Sequence, residues 1–363
     1  MQLVDWRVAE ATGVRLVPPG PALELGQATA TVEQLRALAE QASGHVAAFT
    51  GLDTGETSAT IAVVDRPDWI RANVAGFQRL ADPLLAKVME RRGVSTSGML
   101  ASAGAGIAGV EVGMLLGYLA TRVLGQFELL GPPPPASESD PAAGTGRLSL
   151  VAPNIVVAER ALGVDPRDFR LWVCLHEVTH RTQFAAAPWL YGYVSQLLGD
   201  YLDAADLEPA ALMGRLRSAL RGVIEVLLGR SECSLVELMQ TDEQQVILDR
   251  VTGLMSLLEG HADVVMDGVG PTVIGSVEAI RSRFEQRRRD VNPVERAFRR
   301  LLGVEAKMRQ YAEGAAFVRA VLDKVGMAGL NQVWTGPDAL PTGIEIRNPA
   351  AWLDRINPPA ITA

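Results

Sequence analysis

The sequence predicts a mainly α fold with few short strands, carrying an H-E-x-x-H pattern on a buried central helix. Three observations lead there. Helix-capping signals followed by apolar residues at helical spacing recur along most of the chain. Only the runs 59–64 and 147–151 read as strands. His176-Glu177-Val178-Thr179-His180 stands within a strongly apolar helical segment.

Taken in order, Thr31 and Gln34 form a T-x-x-Q capping pattern that opens a helix reaching about Phe49. A short β-like run follows at 59–64. Asp65-Arg66-Pro67 then starts a helix to about Arg92, with proline at an early helical position. The segment 98–120 has a single charge, Glu111, and a glycine ridge at Gly109, Gly113 and Gly117. Its length would span a bilayer, but Glu111 in mid-span would be costly in lipid, so it reads as a central buried helix. A helical continuation is expected over 118–130.

Residues 131–146, GPPPPASESDPAAGTG, form a low-complexity loop. It is read as joining two helical halves of one domain spanning 1–363. Then come a strand at 147–151, a helix at 153–162, and the motif helix from Pro166 to Ala186. Asp165 is the N-cap of that helix, and Phe169, Trp172, Val173, Leu175 and Phe184 bury it. Further helices are expected at 189–202, 210–228, 242–267, 273–289 and 293–325, and 334–356 reads as loop-rich. The arginine-rich run 281–289 is read as a solvated helix face.

Composition narrows the function. The chain of 363 residues is 48% hydrophobic and 21% charged, a globular balance, and its net charge of -8 argues against nucleic-acid binding. Two cysteines, Cys174 and Cys233, make no disulfide framework. The first residues show no basic segment followed by an apolar core, so a cytoplasmic protein without a membrane anchor is expected.

Four histidines and 42 acidic residues would produce an H-(D/E)-x-x-H pattern by accident in on the order of one such chain in two hundred. Histidines four apart lie one turn apart on one helix face, so His176 and His180 can reach one metal ion while Glu177 acts as a base toward its water. Cys174 sits about 200° round the helix from His176 and is expected to be a buried apolar group. His45 reads as a surface residue.

A catalytic zinc takes a third protein ligand. Metzincins carry a glycine and a third histidine where this chain has Gln183 and Ala186, so that pattern is excluded. The remaining ligand-type cluster is Leu258-Glu259-Gly260-His261-Ala262-Asp263. Glu259 and Asp263 share a helix face, and His261 lies about 200° from Glu259. The spacing of Glu259 and Asp263 resembles the second half of the gluzincin signature, which implies Glu259 as third ligand and Asp263 as partner of a ligating histidine. His261 stands as the alternative ligand.

More of the chain carries a family resemblance. LWVCLHEVTHRTQF at 171–184, SLLEGHADVVMD at 256–267 and KMRQYAEGAAFV at 307–318 resemble the zincin-like metallopeptidases of type 2. These are also described as deazaflavin-coenzyme-biosynthesis-associated hydrolases, mainly of actinobacteria and chloroflexi. The stretches 65–74, 117–129 and 150–166 fit the same family.

The resemblance implies a helix-rich, zincin-related fold with zinc on His176 and His180 and with Glu177 as catalytic base. The expected chemistry is zinc-assisted hydrolysis of a peptide or other amide, with Tyr311 as a candidate donor to the developing oxyanion. The rival expectation is a non-catalytic helical scaffold with a structural or vestigial zinc site.

Overall fold

The structure is a computed structural model that describes residues 4–52, 60–92, 99–128, 146–204, 241–289 and 304–356. Among them are twelve α-helices and one three-stranded sheet, so the fold is mainly α as expected. The predicted helix at 210–228, nearly all of the loop at 131–146, Cys233 and the start of the helix expected from 293 lie outside the described residues. The chain divides into two compact units, Met1–Tyr191 with Val265–Arg283, and Gly192–Val264 with Phe284–Ala363.

The first unit begins with α1 (Trp6–Leu16) and α2 (Leu25–Thr50). The T-x-x-Q reading at Thr31 misplaces the start of α2. Glu24 and Gln27 form the capping box instead, seven residues earlier, and Thr31 donates its hydroxyl to the Gln27 carbonyl inside the helix (2.8 Å). β1 (Thr60–Val64) and α3 (Arg66–Arg92) follow as predicted.

α4 (Met99–Leu119) carries the glycine ridge, and the expectation of a central buried helix is only half right. A Cβ on Gly113 would lie 2.4 Å from the Ala9 carbonyl oxygen, and one on Gly109 would lie 2.5 Å from that of Asp5. The ridge therefore lets α1 and α4 meet backbone to backbone. Away from the ridge, Ile107, Met114, Leu115 and Tyr118 are exposed. No helix of the described residues is long and apolar enough to cross a membrane.

The expected helical continuation over 118–130 is corrected. After a turn, β2 (Gly125–Glu128) runs antiparallel to β3 (Arg147–Val151), and β3 pairs parallel with β1, so β3 is central and β2 is an edge. Leu148, Ser149, Leu150 and Val151 are all fully buried, because both faces of the central strand are covered. Local apolar spacing cannot separate a short strand from a helix end. The pairing partner that decides it lies some twenty residues on.

α5 (Ala152–Leu162) and α6 (Pro166–Ala186) complete this layer, α6 with the predicted boundaries. The Asp165 side chain accepts from the Asp168 N–H (2.9 Å), which caps α6 as expected. Arg170 anchors α6: its guanidinium pairs with Glu159 of α5 (2.9 and 2.6 Å) and donates to Gln34 of α2. Asn154 is a second buried hub, accepting from Arg66 (2.7 Å) and donating to the carbonyls of Ala120 (2.8 Å) and Val123 (2.6 Å).

Around the second unit, α7 (Leu190–Asp203) precedes α8 (Asp242–Val273), whose T-x-x-Q start is a true capping pair: Gln244 N–H donates to Thr241 Oγ1 (3.0 Å), and Thr241 N–H donates to Gln244 Oε1 (3.1 Å). α8 runs two turns past the expected end at Asp267. α9 (Val277–Arg289) uses some of its arginines internally. Arg281 pairs with Asp267, and Arg283 donates to the carbonyls of Leu162 (2.8 Å) and Gly163, so the run is not simply a solvated face.

α10 (Val304–Leu330) breaks at Gly326, where φ is +67°, a conformation that glycine adopts without penalty. The tail expected to be loop-rich is instead helical, with α11 (Gly343–Arg347) and α12 (Pro349–Ile356) after two short 3₁₀ turns. Pro337 opens the second of these turns and Pro349 opens α12. Trp352 packs edge-on to Phe317 (5.6 Å) and donates to the Ala339 carbonyl (2.9 Å).

Candidate metal centre

α6 is the best-buried helix around the motif. Phe169, Leu171, Val173, Leu175 and Val178 face the core, and the helical repeat turns His176 and His180 together onto one half-buried face. Their rings meet edge to face at 4.7 Å, and the two Nε2 atoms lie 3.1 Å apart. A tetrahedral zinc at about 2.0–2.1 Å from each nitrogen separates two such atoms by about 3.3 Å. The pair is therefore spaced to share one ion.

The orientation of His180 has a cause that the sequence reading did not find. Its Nδ1–H donates to Oε1 of Gln183 (3.0 Å), which is fully buried. That bond fixes the Nδ1–H tautomer, in which Nε2 carries the lone pair that a metal ion would take. Sequence reasoning used Gln183 only to exclude a metzincin. The available signal was its position three residues on, which places it on the face of His180.

Glu177, 8% exposed, lies beside the pair on α6 and against Gly125 of β2. Cys174 is fully buried with Sγ directed at the Leu35 carbonyl (3.8 Å). Burial above all, and the charge of Glu177 after it, push its thiol far above the ordinary range. It is the inert buried group the sequence suggests. His45, on α2, is half-buried, with its ring 3.4 Å from the Gln41 amide nitrogen.

The third candidate ligand sits on α8. Gly260 and Gly314 mark a close crossing of α8 and α10: a Cβ on Gly260 would fall 2.1 Å from the Gly314 carbonyl carbon, and one on Gly314 would fall 1.9 Å from the Ser256 oxygen. That contact fixes the rotation of α8 beside Glu259. His261 is 1% exposed and packs edge-on to Trp334 at 5.5 Å. Glu259, two residues before His261 on α8, is half-buried. Asp263, one turn on from Glu259, is exposed. Tyr311 lies on α10, and its side chain is outside the described residues.

Two histidines and a glutamate form the donor set of a catalytic zinc with a position left for water, so these residues fit that ion. Fold and site together define a helical protein of the H-E-x-x-H class. A model of the family described as zincin-like metallopeptidase matches residues 4–353, and the chain belongs to that family. The resemblance read from the sequence therefore holds. A crystal structure from Chloroflexus aurantiacus, described as a candidate hydrolase with a novel fold, is 30% identical. The match covers 98% of this chain and 100% of that one, with a TM-score of 0.67. No curated protein shows significant similarity. Family and structural relative both point to a hydrolase.

Proposed function

We propose that this protein is a zinc-dependent hydrolase of peptide or other amide bonds, with a gluzincin-like site. His176, His180 and Glu259 would hold the ion. The observation that carries the reading is the pair of His176 and His180, whose Nε2 atoms lie 3.1 Å apart on α6 beside Glu177.

Zinc bound by these residues would lower the pKa of water toward about 7 and polarise the scissile carbonyl. Glu177 accepts the proton of the attacking water on its carboxylate and delivers it to the leaving amine nitrogen. Gln183 holds the His180 ring by its Nδ1–H, keeping Nε2 turned toward His176 Nε2, where the pair would hold the ion. Tyr311 remains the candidate donor to the oxyanion, and Asp263 the candidate carboxylate partner of a histidine.

Metal analysis tests the site directly: about one zinc per chain is expected, and H180A should lose it. E177Q should keep the zinc and lose hydrolysis across a panel of peptides and amides. Retained zinc with undiminished hydrolysis in E177Q would sink the catalytic reading. A chain that binds zinc and hydrolyses nothing in the panel would be a scaffold with a structural metal.

A further inference from the structure

We propose that Gly125 is a positioning residue, and that the missing side chain at this point of β2 is what seats the Glu177 carboxylate. The inference rests on the reading of Glu177 as the base. A Cβ on Gly125 would fall 2.6 Å from both Cγ and Cδ of Glu177 and 2.9 Å from its Oε1, closer than real carbon contacts allow. The backbone does not demand glycine here. Gly125 is not among the glycines with positive φ, and glycine within a strand costs entropy while offering nothing to pack. What occupies the vacated volume is the carboxylate arm.

The strand cannot easily retreat from the helix. Two residues on, Phe127 lies on the same face of β2 as Gly125 and stacks on Phe184 with ring centroids 5.2 Å apart. Phe184 is two turns along α6 from Glu177, on the same side of the helix. Gly146 (φ +86°) gives room to the Phe127 ring, since a Cβ there would lie 2.3 Å from it. Strand and helix are thus held in register by the aromatic pair, and an added methyl at 125 must displace the buried Glu177 side chain instead.

The test compares melting temperatures of four metal-free proteins: wild type, G125A, E177A and the double variant. If the methyl meets the Glu177 arm, G125A lowers Tm, and at least half of that loss disappears when E177A removes the arm. A loss of equal size with and without E177A, or no loss in either, overturns the proposal.

On any substrate of the panel turned over by the wild type, G125A should lower kcat about 100-fold, the cost of misplacing a reacting group by about 1 Å, with KM and zinc content unchanged. An unchanged kcat in G125A also overturns it. If E177Q leaves wild-type hydrolysis intact, the reading of Glu177 as base has failed, and the Tm comparison alone then decides whether Gly125 holds the side chain.

Discussion

Gln183 shows how one side chain can control a neighbour that does the chemistry. Its amide oxygen receives Nδ1–H of His180 while being fully buried itself, so removing it leaves the imidazole without its orienting acceptor. Q183A should weaken zinc binding about 10–100-fold, measured by competition with a coloured chelator, while Q183E, which keeps an acceptor, should retain most of the affinity. Unchanged affinity in Q183A would remove Gln183 from the site. The sequence reading assigned the orienting role to Asp263 by resemblance alone. Gln183 was legible in principle, because a three-residue helical spacing is local. Gly125 was not, because its contact lies 52 residues away along the chain.

Individual elements carry their own signals, and they compete. Asp165-Pro166 starts α6 where expected because the cap and the proline act on their immediate neighbours. The same logic failed at Thr31, where the earlier Glu24–Gln27 box already satisfies the first turn and frees Gln34 to accept from Arg170.

At the crossing of α8 and α10, glycine is required for space rather than conformation. G260A should cost about 1–3 kcal/mol by overpacking, read from the urea midpoint at constant m-value, and a neutral result would mean the helices can part. At α11, burial raises the Glu345 carboxyl, but hydrogen bonds from Arg355 and the Thr342 N–H outweigh it and hold its pKa below the ordinary value. With the folded pKa depressed, this stabilisation is complete above the unfolded value of about 4.3 and is lost as pH falls through the folded one. The gap in denaturation midpoint between wild type and E345Q should be full at neutral pH and close on acidification. A gap that widens in acid would contradict the pairing.

For the whole molecule, zinc is expected to act as a stabilising ligand. An ion that binds only the folded chain adds about 2.7 kcal/mol when free metal is 100 times Kd, so Tm should rise with added zinc and fall on chelation. H180A should abolish that response. A Tm indifferent to zinc in the wild type would deny the site at this scale.

The sequence by itself determined the mainly α class, the boundaries of α6, and the pairing of His176 with His180 beside Glu177. All of these are local consequences of capping and of the 3.6-residue repeat. It also separated Glu259 from His261 by about 200° round one helix, but a helical angle does not say which side faces the histidines. Tertiary structure decided the place of one of them: His261 is buried and packs on Trp334. It decided two other points as well, turning 125–128 into an edge strand and setting Gly125 under Glu177. Each depends on residues far apart in the chain, and close packing fixes such contacts only once the fold has formed.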